Sequence, residues 1–331
     1  MKHSLKNKKH GMALVSVLLM SALLIALYLR FLDNAGLQAR IDARQEAIMQ
    51  AQWAARAGVD YAINLLFQDR SLGDSYGEAW KTETEATAQK PLMFGVCSCT
   101  VSIIDESSKL NVNLVDEYIL KKTFEESGLG IIASSSLVGE SERLGASTRL
   151  AQRILDYIDE DDTPRSMGAE FSTYMLHGLR APRNGPMTDI RELLDIPGIT
   201  PDLMVASGSR PGLEDLLTVY GEGEINVNTA VEAVVKSIPG LPGEYEAEKT
   251  AEFYQKLFSS RPFMELAGYT NFIVTFDWRI PKKYTNRFIT HTRWFKISAH
   301  AQHGEAHRRV EALVKRDRPG MCRLARYVEI P

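Results

Sequence analysis

Carboxylates crowd one stretch of this chain. Asp156, Asp159, Glu160, Asp161 and Asp162 sit at the carboxyl end of a helical pattern, and Glu170 follows after a short loop. Negative charge there opposes the helix dipole and repels itself. Oxygen-only donors suit a hard cation, calcium or magnesium, rather than zinc. Asp159, Asp161, Asp162 and Glu170 are the candidate ligands, with calcium the expected cofactor. A solvated acidic loop without metal is the competing reading, and it is the commoner fate of a charge run.

His300, His303 and His307 have spacings that invite a zinc assignment. A hairpin with His303 in its turn would put His300 and His307 on the side away from the apolar face. Exposed histidines are therefore the better reading. No nucleophile elbow, Walker loop, H-E-x-x-H or G-x-G-x-x-G is present. Nothing ties Asp and His to an activated Ser or Cys, so no catalysis is expected. Cys97 and Cys99 point to one side of a predicted strand, and either could meet Cys322 in a single disulfide if the bulk lies in an oxidising compartment. The pairing itself is not readable from sequence.

These groups need a scaffold, and 331 residues suffice for two or three domains with a sizeable core. A net charge of −3 argues against a general nucleic-acid binder. Arg308, Arg309, Lys315, Arg316, Arg318, Arg323 and Arg326 nevertheless make the tail basic. The chain opens with Lys2, Lys6, Lys8 and Lys9, then Gly11, then an uncharged apolar run from Met12 to Leu29. At about 1.5 Å per residue that run nearly spans a bilayer core. The basic residues before it predict a cytoplasmic amino terminus and an exported bulk. It is too long for a cleaved secretory signal and lacks an A-x-A site. Helical pattern continues without proline to Leu66. Ile48, Ala51, Ala55, Gly58, Ala62 and Leu65 form a narrow stripe of mostly small residues, which the spacing turns toward a partner.

Beyond the helix, Ser71 to Lys90 reads as a loop and Met93 to Asp105 as a strand. Asn113 is placed to cap a helix from Leu114 to Ser127. A Gly/Ser-rich connector, Gly128 to Gly139, leads to a helix over Thr148–Ile158. Short helical pieces surround two turns, Ile196-Pro197-Gly198-Ile199 and Ile238-Pro239-Gly240-Leu241, and a longer helix covers Glu244–Phe258. Leu110-Asn111-Val112-Asn113 is echoed by Ile225-Asn226-Val227-Asn228, which suggests two related helical modules. From Asn271 the texture becomes β, with strands expected over Phe272–Ile280, Arg287–Ala301 and Glu305–Lys315 and a tight turn at His303-Gly304.

The basic leader, Gly11 and the helix starting at Met12 resemble a type IV prepilin signal. Ser16 stands where most pilins carry Glu at the fifth mature position. That departure is similar to the minor pseudopilin family known as type II secretion system protein K. Val101 to Asn113 resembles the family's strand-turn-strand. Ile154 to Asp162 followed by Gly168-Ala169-Glu170 resembles its D-W-x-D-x-D…G-A-E signature, with Tyr157 where Trp is usual. Ile225-Asn226-Val227-Asn228-Thr229-Ala230 matches its I-N-V-N-T-A.

The resemblance implies an α+β pilin-like fold, a long amino-terminal helix plus an antiparallel sheet, interrupted by a large inserted all-α domain of two SAM-like parts. The expected boundaries are a leader over 1–11, the transmembrane and amphipathic helix over 12–68, the first part of the pilin-like domain over 69–113, the insertion over 114–267 and sheet-completing strands over 268–331. It further implies cleavage between Gly11 and Met12 by prepilin peptidase, N-methylation of Met12, residence in the inner membrane, and calcium in the helical domain. The small-residue stripe would then pack on neighbouring pilin helices. Implied partners are the minor pseudopilins of the I, J and H types, at the tip of a periplasmic filament.

A membrane-anchored DNA-binding protein is the alternative. The two Ile-Pro-Gly turns resemble helix-hairpin-helix turns, but Glu192, Asp195, Glu244 and Glu246 lie beside them and no basic stripe does.

Overall fold

The absence of proline from Lys6 to Gln68 lets one helix, α1, run unbroken for 63 residues, a rod about 95 Å long. In a computed structural model describing residues 6–129, 140–238, 247–277 and 286–330, its apolar first part touches nothing. Met12, Leu19 and Leu27 are all more than half exposed.

The second part of α1 lies on a sheet, and its small-residue stripe decides how closely. Ala51, Ala55 and Ala62 are wholly buried. A Cβ at Gly58 would come within 2.6 Å of Cys99 Sγ and 3.1 Å of Ala299 Cβ. The stripe expected to meet neighbouring helices therefore packs on this chain's own sheet. The reason is its narrowness: a face of Ala and Gly presents little bulk, so a flat sheet can close onto it.

A short helix, α2 (Ala79–Gln89), occupies the stretch expected to be a loop. Trp80, Thr84 and Thr87 provide its buried face, and the Thr84 and Thr87 hydroxyls donate back to Trp80 O and Thr84 O. Trp80 meets Phe295 edge-on with ring centroids 5.4 Å apart. The strand expected over Met93–Asp105 is a hairpin, β1 (Leu92–Phe94) and β2 (Cys97–Asp105), turned by Gly95 at φ 62°.

The insertion follows: β3 (Leu110–Asn111), α3 (Glu117–Glu126), α4 (Glu140–Ile158), α5 (Phe171–Leu176), α6 (Pro201–Met204), α7 (Leu213–Leu216), β4 (Leu217–Thr218), β5 (Ile225–Asn226), α8 (Glu232–Ser237), α9 (Ala247–Ser259), α10 (Leu266–Phe276) and β6 (Phe288–Ile289). Three strands complete the chain, β7 (Trp294–His303), β8 (Ala306–Arg318) and β9 (Met321–Ile330), the last not foreseen as a separate strand. Most of the Gly/Ser-rich connector and the second Ile-Pro-Gly turn lie outside the described residues.

The main sheet has order β1-β2-β7-β8-β9, every pair antiparallel. Asp105 at the end of β2 pairs with Phe295 at the start of β7. Both ends of the insertion thus emerge from neighbouring strands, which is why a helical domain can be inserted without breaking the ladder.

Two expectations fail for instructive reasons. Phe272–Ile280 is not a strand where it is described: residues 272–276 belong to α10. Their β-branched and aromatic residues favour a strand locally, but Tyr269 and Ile273, four apart, are buried in the helical core, and Phe272 and Phe276 pack on Phe253. Nor does Asn113 cap α3. Asp116 does so, its carboxylate accepting from Ile119 N at 2.9 Å.

Gly58→Leu should lower stability by about 1–3 kcal/mol, because the side chain would be driven into β2 and β7. Gly36→Ala, where nothing lies within 4 Å of the new methyl, should leave the urea midpoint unchanged or raised. Denaturation followed by circular dichroism separates the two. Equal midpoints would contradict the packing described.

Candidate functional site

The echoed Asn-Val-Asn motifs turn out to do the same job twice. In each, the first Asn carboxamide oxygen accepts from the backbone N–H of the second: Asn113 to Asn111 and Asn228 to Asn226, both at 3.0 Å. In each, the second Asn then grips a distant backbone with both ends of its amide. Asn113 takes Met187 N at 2.8 Å and donates to Met187 O at 3.0 Å. Asn228 takes Phe263 N at 2.7 Å and donates to Phe263 O at 2.9 Å. Each motif also opens on a two-residue parallel pairing, β3 with β4 and β5 with β6. The equivalence supports two related modules within the insertion.

The second motif joins the insertion to the sheet. Asn226 Nδ2 donates to Asp105 Oδ2 at 3.0 Å, and Thr229 Oγ1 and Thr292 Oγ1 donate to the same oxygen. Ser107 N donates to Asp105 Oδ1 at 2.7 Å. Burial pushes the Asp105 carboxyl upward, and these donors pull the other way.

The acidic loop is organised by a residue not counted among its ligands. Asp156 is wholly buried at the end of α4. Its Oδ2 accepts from Arg165 N and Ala169 N, and its Oδ1 from Arg165 Nη1 at 2.5 Å. A Cβ on Gly168 would fall 1.7 Å from Asp156 Oδ2, so only glycine lets the loop close over it. The same Arg165 nitrogen reaches Asp159 Oδ2 at 2.6 Å. Asp161 accepts from Thr163 N, and Asp162 from Asn184 Nδ2 at 2.8 Å. Glu170 is only 2% exposed, and neither of its carboxylate oxygens has a donor. Burial and then the charges of Asp156, Asp159, Asp162 and Asp161 push it up to about 7.

The donors present fit a hard cation: they are all oxygens, and Glu170 and Asp159 Oδ1 are orphaned. No three of the four expected ligands have oxygens within 4.8 Å of one another, however. Among the described residues, the acidic set that brings three oxygens within 4.8 Å of one another is elsewhere, Asp69, Asp74 and Glu78. That trio was missed because its stretch reads as a polar loop and its members are brought together only by the turn after α1.

Other expectations resolve by position. His300 and His307 stack with centroids 5.7 Å apart on the face away from α1, and His303 precedes Gly304 in the turn. The three cysteines are free thiols. Two strands separate β2 from β9, and the register sets Cys322 level with the opposite end of β2 from Cys97 and Cys99, so it lies well over about 14 Å from either thiol, beyond disulfide reach. Burial pushes Cys99 up to about 11. At the first Ile-Pro-Gly turn, Arg153 Nη1 donates to Pro197 O at 2.5 Å. Glu192 closes a capping box with Asp189.

A long amino-terminal helix laid on one face of an antiparallel sheet, with its apolar half projecting, is a pilin-like fold. Residues 108–207 match the family model for the type II secretion system protein K, first domain. Over those residues the chain carries the pattern of the type II secretion system protein K family. Among solved structures it is similar to a chain of the GspK-GspI-GspJ complex from the type 2 secretion system of enterotoxigenic Escherichia coli, with TM-score 0.60 and 15% identity over 88% of this chain and 99% of that one. No curated protein matches the sequence significantly.

Without added cation, Glu170 gives a pH test. Its folded pKa, about 7, lies above its ordinary value, so the folded form holds the proton more tightly. The contribution to stability is therefore lost as pH rises from about 4.5 to 7, by up to about 3 kcal/mol. Glu170→Gln should stabilise the chelator-treated protein at pH 8 and have little effect at pH 5. A destabilised variant at pH 8 would show the carboxylate to be paired after all.

Proposed function

We propose that this chain is a minor pseudopilin that caps the tip of a periplasmic pseudopilus and promotes its assembly for export of folded proteins. Residues 12–29 hold it in the inner membrane, with the amino terminus in the cytoplasm and the bulk in the periplasm. Prepilin peptidase cuts between Gly11 and Met12, and Met12 becomes the methylated amino terminus. The observation that carries this reading is α1 itself. It continues from an apolar, uncovered half into a half seated on the sheet, so one rigid rod can be stored in lipid and later enter a bundle of helices. The similar Escherichia coli chain was solved in a complex with GspI and GspJ. Partners of those types, together with the H type, follow by analogy of fold.

Ser16 supports a terminal position. Its hydroxyl donates to Met12 O at 2.9 Å, one turn back in its own helix. It offers no carboxylate to the amino terminus of a subunit above. The bulk of the insertion would also obstruct such a neighbour.

The acidic loop of the insertion takes calcium in this reading. Asp159, Asp161, Asp162 and Glu170 would draw in around the ion from their present separation, and the ion would add its positive charge to that of Arg165. Calcium's role is structural, tying the end of α4 to the start of α5. Chelator-treated protein should gain thermal stability on adding calcium, and Asp159→Ala with Asp161→Ala should abolish the gain. Identical melting with calcium and with chelator would reject the ion.

The broader reading is tested by mass spectrometry of the protein isolated from cells containing the peptidase. A chain beginning at methylated Met12 is expected. Recovery of the original Met1 would overturn the proposal.

A further inference from the structure

α1 ends at Gln68, and the chain turns back through Asp69, Asp74 and Glu78 before α2 begins. Arg316 on β8 enters this turn almost completely buried. Its Nη1 donates to Asp69 Oδ2 at 2.8 Å and its Nη2 to Asp74 Oδ2. An arginine staple complete in itself would balance its charges and satisfy its oxygens. This one does neither. One guanidinium pairs with two of three clustered carboxylates. Asp74 is 1% exposed, and its Oδ1 is buried without any donor.

Glu78 stands at the amino-terminal cap of α2 yet makes no side-chain cap. Its carboxylate is turned inward, where Trp80 Nε1 and Ser75 N both donate to Oε2, the former at 2.7 Å. One oxygen from each acid lies within 4.8 Å of the other two. Oxygens bound to a common calcium at about 2.4 Å can be no further apart than about 4.8 Å, whereas magnesium, at about 2.1 Å, needs a tighter set. A buried carboxylate oxygen with no partner is costly, and a cation would supply what it lacks.

We propose that Asp69, Asp74 and Glu78 form a calcium site at the joint between α1 and the sheet, separate from the acidic loop of the insertion. The loop is already held for the purpose. Gly73 has no room for a side chain, with Phe263 O and Met264 O within 2.8 Å of a Cβ there. Asp74 O accepts from Asn226 Nδ2 and Asn228 Nδ2. An ion bound here would link the end of the rod, the sheet through Arg316, and the insertion through those two amides.

Trp80 supplies the test, because its indole nitrogen touches a proposed ligand. Terbium replaces calcium and emits when excited through a nearby indole. Full-length protein in detergent, stripped of metal, should show terbium emission on excitation at about 295 nm, and calcium should compete it away better than magnesium at equal concentration. Glu78→Gln keeps an oxygen for Trp80 and leaves Arg316 both its partners, so the fold persists. It should weaken terbium binding at least about tenfold, since one of three charged ligands is lost. Glu170→Gln, in the other acidic loop, should leave this emission unchanged. Absence of indole-sensitised emission would overturn the site. So would emission that survives Glu78→Gln or is lost in Glu170→Gln. Neither result bears on where the amino terminus is cut.

Discussion

The joint between the sheet and the insertion hangs on one buried carboxylate. Asp105 ends β2, the last sheet strand before the insertion, and receives donors from Ser107, Asn226, Thr229 and Thr292. Those donors come from the start of the insertion, its second module and the return to the sheet. A charge so deeply buried is tolerated only because every direction supplies a donor. The arrangement makes the joint specific: sliding the second module by one residue would take away the Asn226 and Thr229 donors.

Two cores result, and they differ in character. The sheet core is thin and built from small residues, since α1 must approach closely: Ala55, Gly58 and Ala62 face Cys99, Val101 and Ala299. The helical core is thick and aromatic, with Phe253, Phe263 and Tyr269 packed edge to face or tilted. The polar seam of Asp105, Asn226 and Asn228 lies between them. Mechanical continuity from the rod to the insertion therefore runs through hydrogen bonds, which specify direction, rather than through grease, which does not.

This division suits the proposed role in a filament. The rod exposes its apolar half, and in that role the head would have to stay rigidly attached to it. Charged staples reinforce the attachment at both ends of the contact. Arg316 grips Asp69 and Asp74 where α1 stops, and Arg56 grips Glu329 of β9 further back along the helix.

Local pattern alone determined a good deal. Length, apolar run and missing proline made α1 legible from end to end, because a helix that long is set by local rules. Alternation exposed β2, β7 and β8, and Gly304 marked their hairpin. The motifs led to the family even though the reasons for them were hidden. Tertiary structure decided the rest. The stripe on α1 met its own sheet because two of the strands that cover it, β7 and β8, lie more than two hundred residues further on. Residues with strand propensity became α10 because an aromatic core needed a helical face. Asn113 proved to be a clamp rather than a cap, and Asn228 a second clamp, on partners, Met187 and Phe263, that are remote in the chain. Asp69, Asp74 and Glu78 stayed invisible for the same reason as Arg316: charges scattered along a sequence gain meaning only when folding removes them from water together.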